Sequence, residues 1–163
     1  MNISSSVSNT RTPALFVSHG SPMFAVEPGE TGPALRSWGQ ALRQKFPDLK
    51  GVVVLSPHWM SQGLEVMSNE QPETWHDFGG FPQVLYTLRY PAPGAPLLAQ
   101  QVQQLLSEAG LDARLNPSRP RDHGAWVPMM HLMPEADLPV VQLSLPAQAD
   151  AAEVYALGKV LQP

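Results

Sequence analysis

The run Gly51 to Leu55 (Gly-Val-Val-Val-Leu) is apolar throughout and β-branched at its centre. A strand with one wet face alternates apolar and polar residues, whereas an unbroken apolar run is what a strand covered on both faces shows. The segment therefore calls for a layered fold with a buried, central parallel strand. Ala14 to Ser18 and Leu138 to Leu143 repeat the pattern, and Leu64 to Ser68, Val84 to Arg89 and Ala113 to Leu115 read as shorter strands. Helical spacing alternates with these runs. Pro33 to Phe46 carries Leu35, Trp38, Leu42 and Phe46 on one face, with Thr31 as a candidate cap and Pro47 as a stop. Pro96 to Ala109 presents Leu98, Val102, Leu105 and Leu106, and Gly110 follows as a C-cap. Residues 122–133 begin as a tight turn and continue as a short helix, and Asp150 to Leu161 forms the last helix. This alternation predicts an α/β fold, a layered mixed or largely parallel sheet flanked by helices. The expected organisation is a flexible tail over residues 1–12 and a single α/β domain over 13–163.

Composition narrows the chemistry. The chain has no cysteine, which removes disulfides, thiolate metal sites and cysteine nucleophiles and leaves histidine and carboxylates as the strong metal ligands. A net charge of -4 with no Lys/Arg cluster argues against nucleic acid as a partner. No apolar run approaches the roughly 20 residues that span a bilayer, and the polar, Ser-rich start has no secretory h-region, so a cytoplasmic location and no membrane partner are expected. The 18 prolines stand beside His, Gly and aromatic residues rather than in one tract, which predicts rigid, shaped loops of the kind that carry sites on α/β scaffolds. There is no Walker A loop, no GxGxxG after a strand, no GxSxG elbow and no HExxH.

Histidines carry the candidate chemistry. His19 (in Val17-Ser18-His19-Gly20-Ser21-Pro22) and His58 (in Leu55-Ser56-Pro57-His58-Trp59) each close an apolar strand. Ligands of open α/β sheets bind beyond the carboxyl ends of strands, where two such histidines converge as ligands of one metal ion; the alternative is a pair of loop-capping histidines. His123, in Asp122-His123-Gly124, reads either as a general acid/base or anion donor, or as a residue capping the following helix. His76 lies in an aromatic, Gly-rich loop with Trp75, Phe78 and Phe81, which either walls an aromatic substrate or packs on itself. His131 has the position of a helix-face residue beside the core.

Five segments in order, HGSP (19–22), SPHW (56–59), HDFGGFP (76–82), YPAPG (90–94) and DHGAWVP (122–128), resemble the DOPA-dioxygenase branch of the class III extradiol ring-cleavage dioxygenases. The resemblance implies a mixed-sheet α/β core and insertion of O2 into a catechol, a small aromatic diol such as DOPA. It implies non-haem Fe(II) as the active metal, with Zn(II) able to take its place. It makes His19 and His58 metal ligands, His123 a catalytic residue touching substrate or O2, and His76, with Phe78 and Phe81, part of the substrate pocket. It further implies a strand with another site histidine, and a later His or Glu, beyond Pro163; the C-terminal part of the family fold is expected to be missing, leaving two ligands where such Fe(II) sites use three. Such a chain alone is expected to be of low stability and to lack activity, and a metal-dependent hydrolase or a non-catalytic fragment are the alternative functions. Oligomeric state is not read from the sequence.

Overall fold

The computed structural model describes residues 11–162; the expected tail, residues 1–12, lies almost wholly outside them. Four strands make one sheet: β1 (Val52–Ser61), β2 (Leu64–Met67), β3 (Ala113–Asn116) and β4 (Val140–Pro146), in the spatial order β1-β4-β2-β3. β1 pairs with β4 and β2 with β3 in parallel, and β2 meets β4 antiparallel, so the sheet is mixed. The helices are α1 (Thr31–Lys45), α2 (Gln83–Thr87), α3 (Pro96–Glu108), α4 (His123–Leu132) and α5 (Ala151–Val160), and a 3-10 turn spans Pro22–Ala25. No helix among the described residues is long and apolar enough to cross a membrane.

Strand side chains alternate between two cores. Val52, Val54 and Val140 pack with Leu35, Trp126, Val127, Met129 and Leu132, the face that α1 and α4 cover. Val53, Val141 and Leu143 pack with Ala99, Val102, Leu106 and Leu157, the face that α3 and α5 cover. Period-two alternation thus serves two helical layers, which is why β1 is apolar at every position from Val52 to Leu55, while β4 adds the buried polar residues Gln142 and Ser144. α1 approaches α4 closely because Gly39 has no side chain; a Cβ there would enter the Leu132 carbonyl. α5 starts at a capping box, Asp150 accepting from the Glu153 N–H at 2.9 Å and Glu153 from the Asp150 N–H at 2.9 Å.

The expected elements are corrected at several places. Residues 14–18 form no strand; they are irregular, with Phe16 fully exposed and Val17 touching the core. An apolar run becomes a strand only with a ladder partner, and none of the described strands pairs with it. β1 is the edge of the described sheet rather than its centre, and Leu55 is exposed there. Val84 to Arg89 is largely helical, as α2, where Leu85 enters the core. Trp38 and Leu105 point to solvent, since Gly32, Leu35 and Gly39 form the buried stripe of α1 and Ala99, Val102 and Leu106 that of α3. Glu30 rather than Thr31 precedes α1, with no side-chain cap.

Candidate metal centre

Pro57 places His58. It lacks the N–H that a ladder needs, and β1 bulges around it. Leu55 opposes Leu143 and Met60 opposes Leu145, so the residues from Ser56 to Trp59 face Ser144 alone. His58 therefore lies inside β1, on a bulge, and not beyond a strand end as the sequence suggests. His19 arrives from the irregular segment 14–18 and not from a strand; Gly20 turns the chain at φ +61, and Ser21 caps the 3-10 turn by accepting the Met23 N–H at 3.2 Å. His123 opens α4 and is buried.

These three histidines converge. Their rings stand 4.0 to 5.4 Å apart by centroid, and each offers one nitrogen within 4.8 Å of the others'. His19 Nε2 and His58 Nε2 are 3.1 Å apart. Two imidazole nitrogens on one ion at about 2.0–2.1 Å stand about 2.9–3.4 Å apart in octahedral or tetrahedral arrangements, so the pair is spaced as two ligands are. His19 Nδ1 is buried with no hydrogen-bond partner among the described residues. Burial first, then the neighbouring His123 and His19, hold the His58 pKa below its usual 6.5, which keeps its ring neutral and able to bind a metal. An all-nitrogen donor set of this kind suits iron or zinc.

Asp77 completes the group; it stands in the HDFGGFP segment, but nothing in the sequence ties it to His123. Its Oδ1 accepts both the backbone N–H of His123 and, from the ring, Nδ1–H, each at 2.9 Å. Although burial works against its charge, these bonds hold the Asp77 carboxyl below its usual range. Asp77 lies 46 positions before His123 in a loop, so no spacing rule joins the two; the adjacent Asp122 points elsewhere. The aromatic loop meets the site through Phe78, 5.4 Å from the His123 ring and 5.4 Å from Phe81. His76 stays outside the trio, its Nε2 at 3.1 Å from the Leu88 carbonyl and its ring packed near Phe78, Tyr86 and Trp126. His131 binds the Phe24 carbonyl at 2.9 Å, beside the core as expected.

Residues 13–163 match the family described as the catalytic LigB subunit of aromatic ring-opening dioxygenase. The chain belongs to this family. Relatives of this dioxygenase family include the "4,5-DOPA dioxygenase extradiol" of Escherichia coli K12, 44% identical over 95% of this chain, and that of Beta vulgaris, 41% identical over 91%. The chain spans 55% of the length of each of these two relatives. Among solved structures, the E. coli K12 protein described as uncharacterized protein JW3007 superposes with a TM-score of 0.58 at 34% identity, covering 78% of this chain and 46% of that one. The α/β fold with a mixed sheet is thus the fold of this dioxygenase family, and three histidines that could hold a metal lie on it.

Proposed function

We propose that the chain carries the metal-binding part of an extradiol dioxygenase site, with His19 and His58 as ligands of Fe(II) and His123 as the acid/base residue that works on a catechol and O2. The 3.1 Å Nε2–Nε2 pair, set beside a carboxylate-bound third histidine, supports this reading most directly. Fe(II) held by His19 and His58 would supply Lewis acidity toward the catechol oxygens and an electron path between ring and O2; zinc at the same nitrogens would supply only the first.

The chain's own residues do the rest. Asp77 takes the Nδ1–H of His123, which fixes the tautomer and leaves the lone pair on Nε2. From there His123 accepts a catechol proton, and the imidazolium formed is stabilised by the Asp77 carboxylate until it returns the proton. Phe78 and Phe81 offer an apolar, edge-to-face wall for an aromatic ring and keep water from one side of His123. His58 is exposed, so the approach for a small aromatic diol lies on its side. DOPA is the proposed substrate because relatives bear that name.

The test is anaerobic loading of the full-length protein with Fe(II), followed by oxygen uptake with DOPA and with protocatechuate. The expected result is oxygen consumption with a ring-opened chromophore, and no uptake from either diol overturns the activity. His123→Ala should keep metal content near the wild-type level while slowing turnover about 100-fold or more; an emptied site in that variant makes His123 a ligand instead.

A further inference from the structure

Asp122 is fully buried and has no part in the chemistry above. Its Oδ1 accepts the Ser56 hydroxyl at 2.6 Å. Its Oδ2 accepts from Arg119 Nη2 at 3.4 Å and from the Gln142 amide. Two of these three partners, Ser56 and Arg119, lead to one residue. Ser56 Oγ accepts the backbone N–H of His58 at 3.2 Å, and Arg119 Nη2 donates to the His58 carbonyl at 3.5 Å. The two backbone groups of His58 are thus tied, each through one side chain, to a single carboxylate.

The same residue sets His123. Asp122 is the N-cap of α4, and its carbonyl accepts the N–H groups of Ala125 and Trp126 at 3.0 Å, which fixes the turn that carries His123. The Arg119 guanidinium is itself held between the rings of Trp59 at 4.6 Å and Trp75 at 4.8 Å. Gly124 leaves no spare room: a Cβ there would meet Ser56 Oγ, the His58 ring and Asp122 Oδ1.

We propose that Asp122 is a positioning residue for the metal centre, acting through Ser56 and Arg119 on the bulge that carries His58 and through the start of α4 on His123. This rests on the metal-site reading given above. The physical need is plain. A bulge is a stretch of strand without ladder bonds, and a ligand carried on it keeps its place only if something else holds its backbone. Groups that orient ligands in this way alter metal affinity about 10–100-fold when removed.

Two variants of the full chain test it. Ser56→Ala removes one hydroxyl and keeps the buried charge pair. Asp122→Asn puts an amide NH2 among donors, opposite Gln142 and Arg119 or opposite Ser56. Two readouts apply: Co(II) affinity with its visible absorption spectrum, and histidine ring resonances by NMR without metal. The expected result is a Co(II) affinity lowered about 10–100-fold in both variants, with an altered absorption envelope. The ring resonances of His58 and His123 should move while those of His131 stay. Wild-type affinity and spectrum in Ser56→Ala overturn the proposal, whether or not the rings move. If Asp122→Asn does not fold, Ser56→Ala decides. A wild-type chain that takes up no Co(II) overturns the metal reading itself, and the ring resonances then decide alone whether the clamp exists.

Discussion

At the scale of single residues, Asp77 and Tyr90 show how one hydrogen bond acquires a consequence. Asp77→Asn keeps the shape of the side chain but weakens its hold on Nδ1–H and removes the charge that stabilises the imidazolium of His123. Turnover in the iron-loaded full-length protein should fall about 100-fold or more while iron content, measured by elemental analysis, stays near one wild-type equivalent. Tyr90 is buried and its hydroxyl donates to the Met133 carbonyl at 2.9 Å. Burial pushes its pKa from 10.0 up to about 12. The folded state therefore keeps this proton at pH values where the unfolded chain loses it. The contribution is whole below pH 10 and is lost as pH rises through about 12. Tyr90→Phe should cost about 1 kcal/mol near neutral pH, and the stability gap between it and wild type should shrink above pH 10. Urea unfolding of both proteins across that range checks it; a constant gap contradicts it.

At the scale of elements, two glycines inside helices have opposite expected effects. Gly39 of α1 faces the Leu132 carbonyl with no room for a Cβ, whereas Gly158 of α5 faces open space. Gly39→Ala should destabilise by about 1–3 kcal/mol, because α1 and α4 must move apart. Gly158→Ala should stabilise by about 0.5–1 kcal/mol, from the lower backbone entropy of the unfolded chain alone. Denaturant midpoints measured with both variants check the pair; equal signs would contradict the packing described for α1. The mid-chain elements were legible because their signals are local. α3 and α5 carry periodic apolar residues and caps, β2 and β3 alternate apolar residues (Leu64 and Val66, Ala113 and Leu115), and β4 opens on the β-branched pair Val140-Val141. Residues 14–18 and α2 were misread because both are short apolar segments, and a short apolar run takes whichever form its partners allow.

At the scale of the whole molecule, the open edge of β1 dominates. Among the described residues no strand covers it, Leu55 and Met60 of β1 are exposed, and Phe16 is a further exposed apolar residue in the segment before His19. An uncovered, apolar edge is a template for pairing between chains. The purified chain should therefore self-associate with rising concentration, and Met60→Lys together with Phe16→Lys should reduce this in sedimentation or light scattering. A monodisperse monomer at high concentration would contradict it.

What the sequence by itself determined was the α/β class, the alternation of layers and three of the histidines that matter, because hydrophobic period and motif order are written along the chain. His19, His58 and His123 could be named as site residues, but the two-to-one division between ligands and acid/base residue came from family resemblance. Only the tertiary structure decided how they meet. The bulge at Pro57 turns His58 toward His19, the turn at Gly20 brings His19 in, and Asp77 and Asp122 reach the site from positions 46 and 66 residues away from their partners. Such contacts depend on how the loops fold over the sheet, and no local pattern encodes a hydrogen bond between residues so far apart in the chain.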